Sequence, residues 1–380
     1  MQLCKHQTKI ICEQEVFSYA AILIDREGRV REWAEYHGEA AAEHLLHTMM
    51  NWGEEYEHKL SRDPAPLVMT AADEADFAAA HSCHICERLL LDDKVRDHDH
   101  LNSKYVGAAH SKCNLARREP TVIPAFAHNF MGYDGHPLVL AMNSPDVKSR
   151  IKQDYAIPIN QQKFKTIRLN NISLLDSTAF LPASLEKLTE GLLESKHSWP
   201  ILKQRWSSEE DLKLLTRKGV YPYSHARSLE QVKSTKTLPT KAQFYNDLSQ
   251  TPVSDADYAH AAEVWKHFDI KNLMDYTSLY NMLDVLQLAE AMMHFRSVIF
   301  NDFGLDAFMY LSLPMLSKDL FLKKTDTHME LISDPEMSHM LQSNIRGGVS
   351  YINTRLMDLA REKARLGAGT KRAMTYVDGE

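Results

Sequence analysis

Apolar and polar positions alternate along FSYAAILIDREGRVREWAEYHG (17–38) on both sides of Asp25-Arg26-Glu27-Gly28. The period of two predicts a hairpin whose turn carries those four residues. In EAAAEHLLHTMMNWGEEYEHKL (39–60) the Ala, Leu and Met spacing changes to that of a helix. SRDPAPLVMT (61–70) breaks it with two prolines, and TAADEADFAAA (70–80) predicts a short helix capped by Thr70. Further on, TVIPAFAHNF (121–130) reads as an apolar strand running into the turn MGYDGHP. FKTIRLNNISLLDSTAF (164–180) reads as a hairpin around Asn170-Asn171. SLEKLTEGLLES (184–195) is amphipathic. SDADYAHAAEVWKHF (254–268) opens on a Ser cap, and the segment 272–299 keeps a long helical period. Residues 196–252 show no period and predict irregular chain. Strands interleaved with helices predict an α/β layer with a small insert.

The totals set outer limits. A chain of 380 residues has room for two or three domains. No run of eighteen apolar residues predicts a membrane span, and the first ten residues lack the apolar core of a signal peptide. The net charge is -7, on the wrong side for a nucleic-acid binder, but it is unevenly spread. Residues 148–168 hold six Lys/Arg against one acid, and 203–241 hold nine against four. Such stripes serve either as phosphate contacts or as solvated faces. Three of the five Cys cluster in metal-like spacing, which points to a reducing compartment; the expected location is intracellular and nuclear.

That cluster carries the first chemistry. Cys83-x-x-Cys86 and His110-x-x-Cys113 form two close pairs separated by a moderate gap, the spacing of a tetrahedral zinc site. His81, His84, His98 and His100 are rival fourth ligands. Inside the gap, KVRDHDH (94–100) predicts a strand, Asn102-Ser103 a turn, and AHSKCNLARRE (109–119) the start of a helix. A hairpin packed on a helix is too small for a core of its own, so zinc would supply its folding energy. His98 is suited to deprotonating water, and Asp97 and Asn114 offer oxygens to a magnesium-type ion. Strict alternation opposes Asp97 to His98, so a twist or bulge is expected there. The segment resembles the endonuclease VII family of His-metal-finger nucleases through Cys83, Cys86, Asp97-His98-Asp99-His100 and Cys113-Asn114, with His110 where that family has Cys. The resemblance implies His98 as general base, Asp97 and Asn114 as ligands of Mg2+ or Mn2+, and His100 at the phosphate. The plainer alternative is a zinc knob that shapes or binds DNA.

The flanks carry a second chemistry. Asn129 and Asp134 stand at a strand end and the following turn, while Tyr280 and Asp284, four apart, share a helix face. Carboxylates from distant segments meeting at a sheet edge make two-metal phosphodiester sites, where a Tyr can orient water. HNFMGYD, LLDSTAFLPASLEKL, LPTKAQFYNDLS, YNMLDVLQLAE, FGLDAF, LPMLSKD and IRGGVS keep their order along the chain. Together they resemble the protein-primed, viral and organellar family B DNA polymerases, in the form found in Polinton (Maverick) mobile elements. The resemblance implies a ribonuclease H-like 3'-5' exonuclease domain carrying a small zinc-bound ββα-metal finger. It divides the chain into an N-terminal part of the exonuclease-like domain (1–80), the finger (81–119), the domain body (120–300) and a linker toward a polymerase palm (301–380). It places Asp134, Tyr280 and Asp284 in exonuclease motifs, Asn129 and Ser177 near the single strand, and Arg346, Gly347 and Gly348 in a DNA-contacting linker where Ile345 replaces Tyr. DNA is the implied partner, with a terminal-protein primer for the full-length family member. Asp25-Arg26-Glu27 has the letters of the first exonuclease motif but reads as a solvated turn. MTYVDGE resembles the opening of polymerase motif A, with Asp378 as its acid. The expectation is an internal polymerase fragment that does not polymerise; the rival is a catalytically dead DNA-binding remnant.

Overall fold

The computed structural model describes residues 15–61, 65–116, 121–132, 134–160, 163–247, 249–327 and 332–345. Strands β1 (Ser18–Ile24) and β2 (Val30–His37) pair antiparallel. Their turn is closed by Asp25, whose Oδ1 accepts the N–H groups of Glu27 at 3.0 Å and Arg29 at 2.9 Å. Gly28 sits at φ +83°, where a side chain is disfavoured. Helix α1 (Ala41–Ser61) follows, with Leu46 and Met50 buried one turn apart. Helix α2 (Ala71–Ala79) has a capping box in which Thr70 and Asp73 satisfy each other's backbone N–H.

Strands β3 (Lys94–His98) and β4 (Tyr105–His110) form a second hairpin, continued by the short helix α3 (Ser111–Ala116), which packs on both strands. The preceding chain seals the other side. Ala65 N–H donates to His100 O at 2.7 Å, and Val68 N–H to Ser103 O at 2.9 Å. Phe77 of α2 meets Tyr105 edge-on, and Lys94 and Arg96 lie over its ring. The hairpin touches the β1–β2 turn through Arg26 and Asp99, 3.5 Å apart, and Lys104 and Glu27, 3.6 Å apart.

The main sheet comprises β5 (Ile123–Ala127), β6 (Asp154–Asn160), β7 (Lys163–Leu169) and β8 (Ile172–Asp176), in the order β5-β8-β7-β6. β5 and β8 are parallel and the other pairs antiparallel. Helices α4 (Gly135–Met142) and α5 (Pro145–Arg150) supply the crossover that a parallel pair needs. The expected hairpin at Asn170-Asn171 is present, with Asn170 at φ +51°. Alternate residues Ile167, Leu169, Ile172 and Leu174 bury one sheet face against Leu46, Met50, Leu138 and Ala141 of α1 and α4. On the other face Phe126 meets Phe180 and Phe308.

The rest is helical: α6 (Leu185–Glu194), α7 (Glu209–Leu215), α8 (Leu229–Ser234), α9 (Asp255–His267), α10 (Leu273–Phe303) and α11 (Leu313–Thr325). Residues 196–252, expected to be irregular, contain α7 and α8. Each is capped by a serine, Ser208 or Ser228, and anchored by buried Leu215 or Val232. Helices of six or seven residues are too short to display a period. Between Tyr276 and Met293 α10 exposes no residue, while its C-terminal part is largely exposed. Leu283 and Leu286 pack with Trp199 and Leu202, and Leu273 and Tyr276 with Val232 and Val264. Its buried Glu290 accepts the N–H groups of Ile201 at 2.7 Å and Leu202 at 2.8 Å and His197 Nε2 at 2.8 Å, so the charge is not orphaned.

Residues 325–380 form a second unit, in which α12 (Pro335–Asn344) is capped by Asp334. Arg346, Gly347, Gly348 and Asp378 lie outside the described residues. Among the described residues no helix is long and apolar enough to cross a membrane.

Leu46 is wholly buried whereas Leu140 on α4 is 74% exposed. Leu46→Ala should therefore cost about 2–5 kcal/mol in urea unfolding and Leu140→Ala less than about 0.5 kcal/mol.

Candidate metal centres

Cys83, Cys86, His110 and Cys113 bring three sulfurs and one imidazole nitrogen within 4.8 Å of one another. A zinc tetrahedron with Zn–S of about 2.3 Å has ligand–ligand edges of roughly 3.8 Å. Cys86 Sγ and Cys113 Sγ lie 3.4 and 3.8 Å from His110 Nδ1. The donor set fits zinc. His110 Nε2 donates to Leu89 O at 2.9 Å, which fixes the ring and leaves Nδ1 toward the cluster. Cys83 sits on a turn whose Cys83 N–H donates to Arg88 O and whose Glu87 N–H returns to Cys83 O, both at 2.8 Å. Burial pushes the Cys83 thiol up, but the N–H groups of Cys86, His110 and Ile85 outweigh it and hold it at about 6. The Leu89 carbonyl draws His110 up to about 9. Cys113 is pushed up to about 11, first by its bond to Cys86 and then by desolvation. Zinc binding would displace the protons from these ligands together.

Beside this cluster the β3–β4 register shifts between Asp97 and His98. Asp97 pairs with Gly107 and His98 with Tyr105. Val106 is therefore the extra residue, and the bulge breaks the alternation of β4: Gly107 faces His84, whereas Tyr105, like Arg96, faces Phe77. The shift does not by itself bring Asp97 and His98 onto one face. Asp97 is 4% exposed and bonds His84 Nε2 at 2.8 Å. The half-buried His98 ring lies 4.9 Å from that of exposed His100. Asp99 instead holds the turn, accepting Leu101 N–H at 2.7 Å and Asn102 Nδ2 at 3.1 Å. Asn114 is half-buried on α3, one residue past Cys113.

A second group of titratable side chains gathers where the parallel strands β5 and β8 end, Ala127 beside Asp176. Buried Asp176 accepts Thr178 N–H at 2.8 Å and Thr178 Oγ1 at 2.6 Å on Oδ1, and Met131 N–H at 2.8 Å on Oδ2. Asp134 stands at the start of α4. Desolvation and the Asp176 charge push its carboxyl up. From α10, Asp284 is pushed up by burial, against the pull of the Lys218 ammonium, which pairs with its Oδ2. Its buried Oδ1 has no hydrogen-bond partner, an orphaned acceptor of the kind a cation satisfies. Tyr280 is held far above the usual phenol range by burial and by Asp284, and its hydroxyl meets that of Tyr223 at 2.5 Å. His128 is pushed down by burial, and the charges of Asp176, Lys218 and Asp284 all reach it. Ser177 is fully buried with its hydroxyl 2.9 Å from His128 Nδ1, so it supports the sheet edge and offers no surface to a strand. Asn129 is exposed in the turn at φ +58°. Asp25 is engaged by Arg29 and Arg31, and Glu27 by Arg29 at 3.0 Å, as expected of a surface turn.

The sequence model for DNA polymerase type B, organellar and viral, matches residues 116–358, more than half of the chain. The chain belongs to this family. No curated protein and no solved structure matches it. The family match takes in the sheet-edge group and begins just past the Cys/His cluster. Family membership implies DNA as the partner and divalent ions as cofactors. Within the matched span the structure adds His128, Asp176, Lys218 and Tyr223 to the residues read from sequence. Asp176 and His128 stand locally at or just past the ends of strands, whereas Lys218 and Tyr223 reach the site only through long-range packing.

The zinc fit has a direct check. Elemental analysis should find one zinc per chain. Cys113→Ala should lose it and expose residues 81–116 to protease, while the β5–β8 sheet, which has its own core, unfolds as in the parent.

Proposed function

We propose that residues 81–119 are a zinc-stapled, metal-dependent DNA endonuclease of the endonuclease VII-like kind. They would be set into a ribonuclease H-like, exonuclease-derived region of a protein-primed family B DNA polymerase from a mobile or viral element. The reading is carried by buried Asp97 and the adjoining candidate base His98 at the end of β3, in the hairpin that the Cys3His cluster closes. His98 takes a proton from water, and the resulting hydroxide attacks phosphorus. One P–O bond breaks and the leaving oxygen is reprotonated from solvent. Asp97 and Asn114 would hold a magnesium-type ion, which when bound stabilises the charge developing on the phosphate. His100, next to the His98 ring, steadies the phosphate. Cys113 adjoins Asn114, so the zinc also fixes the turn of helix that carries the amide.

On supercoiled or branched DNA with Mg2+ or Mn2+, His98→Ala and Asn114→Ala should each lower nicking by about 100-fold or more with zinc retained. Cys83→Ser should lose both. A general base acts in its neutral form, so nicking should fall as pH is lowered. If His98→Ala nicks as fast as the parent, a zinc-bearing DNA-binding knob replaces this reading.

The sheet-edge group is read as the descendant of a proofreading site. Asp134, Tyr280 and Asp284 supply one half of a two-metal arrangement, and Lys218 already neutralises Asp284. Asp25 and Glu27, held by arginines, supply no second half. Exonuclease activity on single strands should therefore stay near background with either ion. A robust 3'-5' ladder abolished by Asp25→Ala would overturn this. The basic stripes at 148–168 and 203–241 are assigned to the DNA backbone, and a terminal-protein primer and a nuclear setting to the full-length family member.

A further inference from the structure

We propose that His84 is a positioning residue that aims the Asp97 carboxylate, coupling the cysteine turn to the cation-binding acid. The inference rests on the nuclease reading above. His84 follows Cys83, and spacing alone makes it a rival zinc ligand. The structure uses it differently: its Nε2 is on Asp97 Oδ2 at 2.8 Å, outside the four-ligand cluster. Three contacts leave the ring little freedom. The His84 N–H donates to Ala108 O at 2.9 Å on β4. The neighbouring Cys83 is held in the cluster. The imidazole also packs against Gly107, where an added Cβ would come within 2.8 Å of His84 Cγ. Gly107 is the cross-strand partner of Asp97, so the bare backbone at that position lets the ring reach the acid.

The chemistry favours His over the alternatives at this position. A carboxylate 4% exposed needs hydrogen-bond partners for its buried oxygens. A Lys or Arg would supply one but would also cancel the charge that attracts a divalent ion. A neutral imidazole donates its Nε2–H and leaves the negative charge in place. Held on one oxygen by His84, the Asp97 carboxylate keeps a fixed orientation for a cation.

Binding of Mn2+ to the whole chain, followed by the electron paramagnetic resonance of the free ion, tests the proposal alongside zinc analysis. The parent should show a Mn2+ site that Asp97→Asn abolishes. His84→Ala should weaken it roughly 10–100-fold with zinc unchanged, as for outer partners of metal ligands. His84→Gln, which keeps an N–H near the same place, should recover most of the affinity. Gly107→Ala should behave as His84→Ala by pushing the ring away. Unchanged Mn2+ affinity in both His84→Ala and Gly107→Ala overturns the proposal. So does loss of zinc in His84→Gln, which would make His84 a ligand. A parent with no Asp97-dependent site overturns the nuclease reading and this inference with it.

Discussion

Three sulfurs and one imidazole nitrogen meeting within 4.8 Å are what the finger depends on. The strands it joins have five and six residues, and α3 has six with no buried side chain. Apart from Cys83 and the alanines 108 and 109, the segment contributes little to the buried apolar set. So small a core cannot offset the entropy of ordering the chain. Closing the cluster constrains both ends of the hairpin at once. Everything placed on it, from the bulge at Asp97 to the Asn114 amide, inherits that constraint. The helix before the hairpin adds a second clamp through Phe77, so the finger is held between metal ligands on one side and an aromatic contact on the other.

The two candidate centres differ in the way their ligands do. The finger cluster is rich in thiols, which select zinc, whereas the sheet edge is rich in carboxylates, which suit magnesium or manganese. They differ also in rigidity of origin. The finger's ligands come from two short turns close in sequence. The sheet edge draws Asp134, Asp176, Lys218 and Asp284 from four elements, and their juxtaposition follows from the parallel β5–β8 pair and from α10 packing beneath Trp199 and Leu202. Burying several acids together is unfavourable. The Asp176 carboxylate is satisfied by backbone and Thr178 donors, and Asp284 by the Lys218 ammonium on one oxygen only. The remaining oxygen is where the arrangement is electrostatically incomplete.

Much of the fold was legible because its signals are local. Caps at Thr70 and Ser254, the turn at Asn170-Asn171 and the long period of α10 each depend on residues a few positions apart. The helices at 209–215 and 229–234 were not, because so few residues display no period. Their stability comes from Leu215 and Val232 inserting into distant parts of the core. Within the finger, the need for an irregularity between Asp97 and His98 was already implied by the geometry of a strand.

The spacing of Cys83, Cys86, His110 and Cys113 marked a tetrahedral metal site in the sequence alone, while His81, His84, His98 and His100 stayed rivals for the fourth place until the fold brought His110 to the three sulfurs. Whether a given polar side chain faces an ion, a neighbour or solvent was decided only by tertiary structure. His84 turned from rival ligand to partner of Asp97, Ser177 went into the interior, and Lys218 reached Asp284 across sixty-six residues of chain. The reason is physical. Turn geometry is set by neighbouring dihedrals, whereas the pairing of charges is set by which elements share a core, and hydrophobic packing, not the charges, makes that choice.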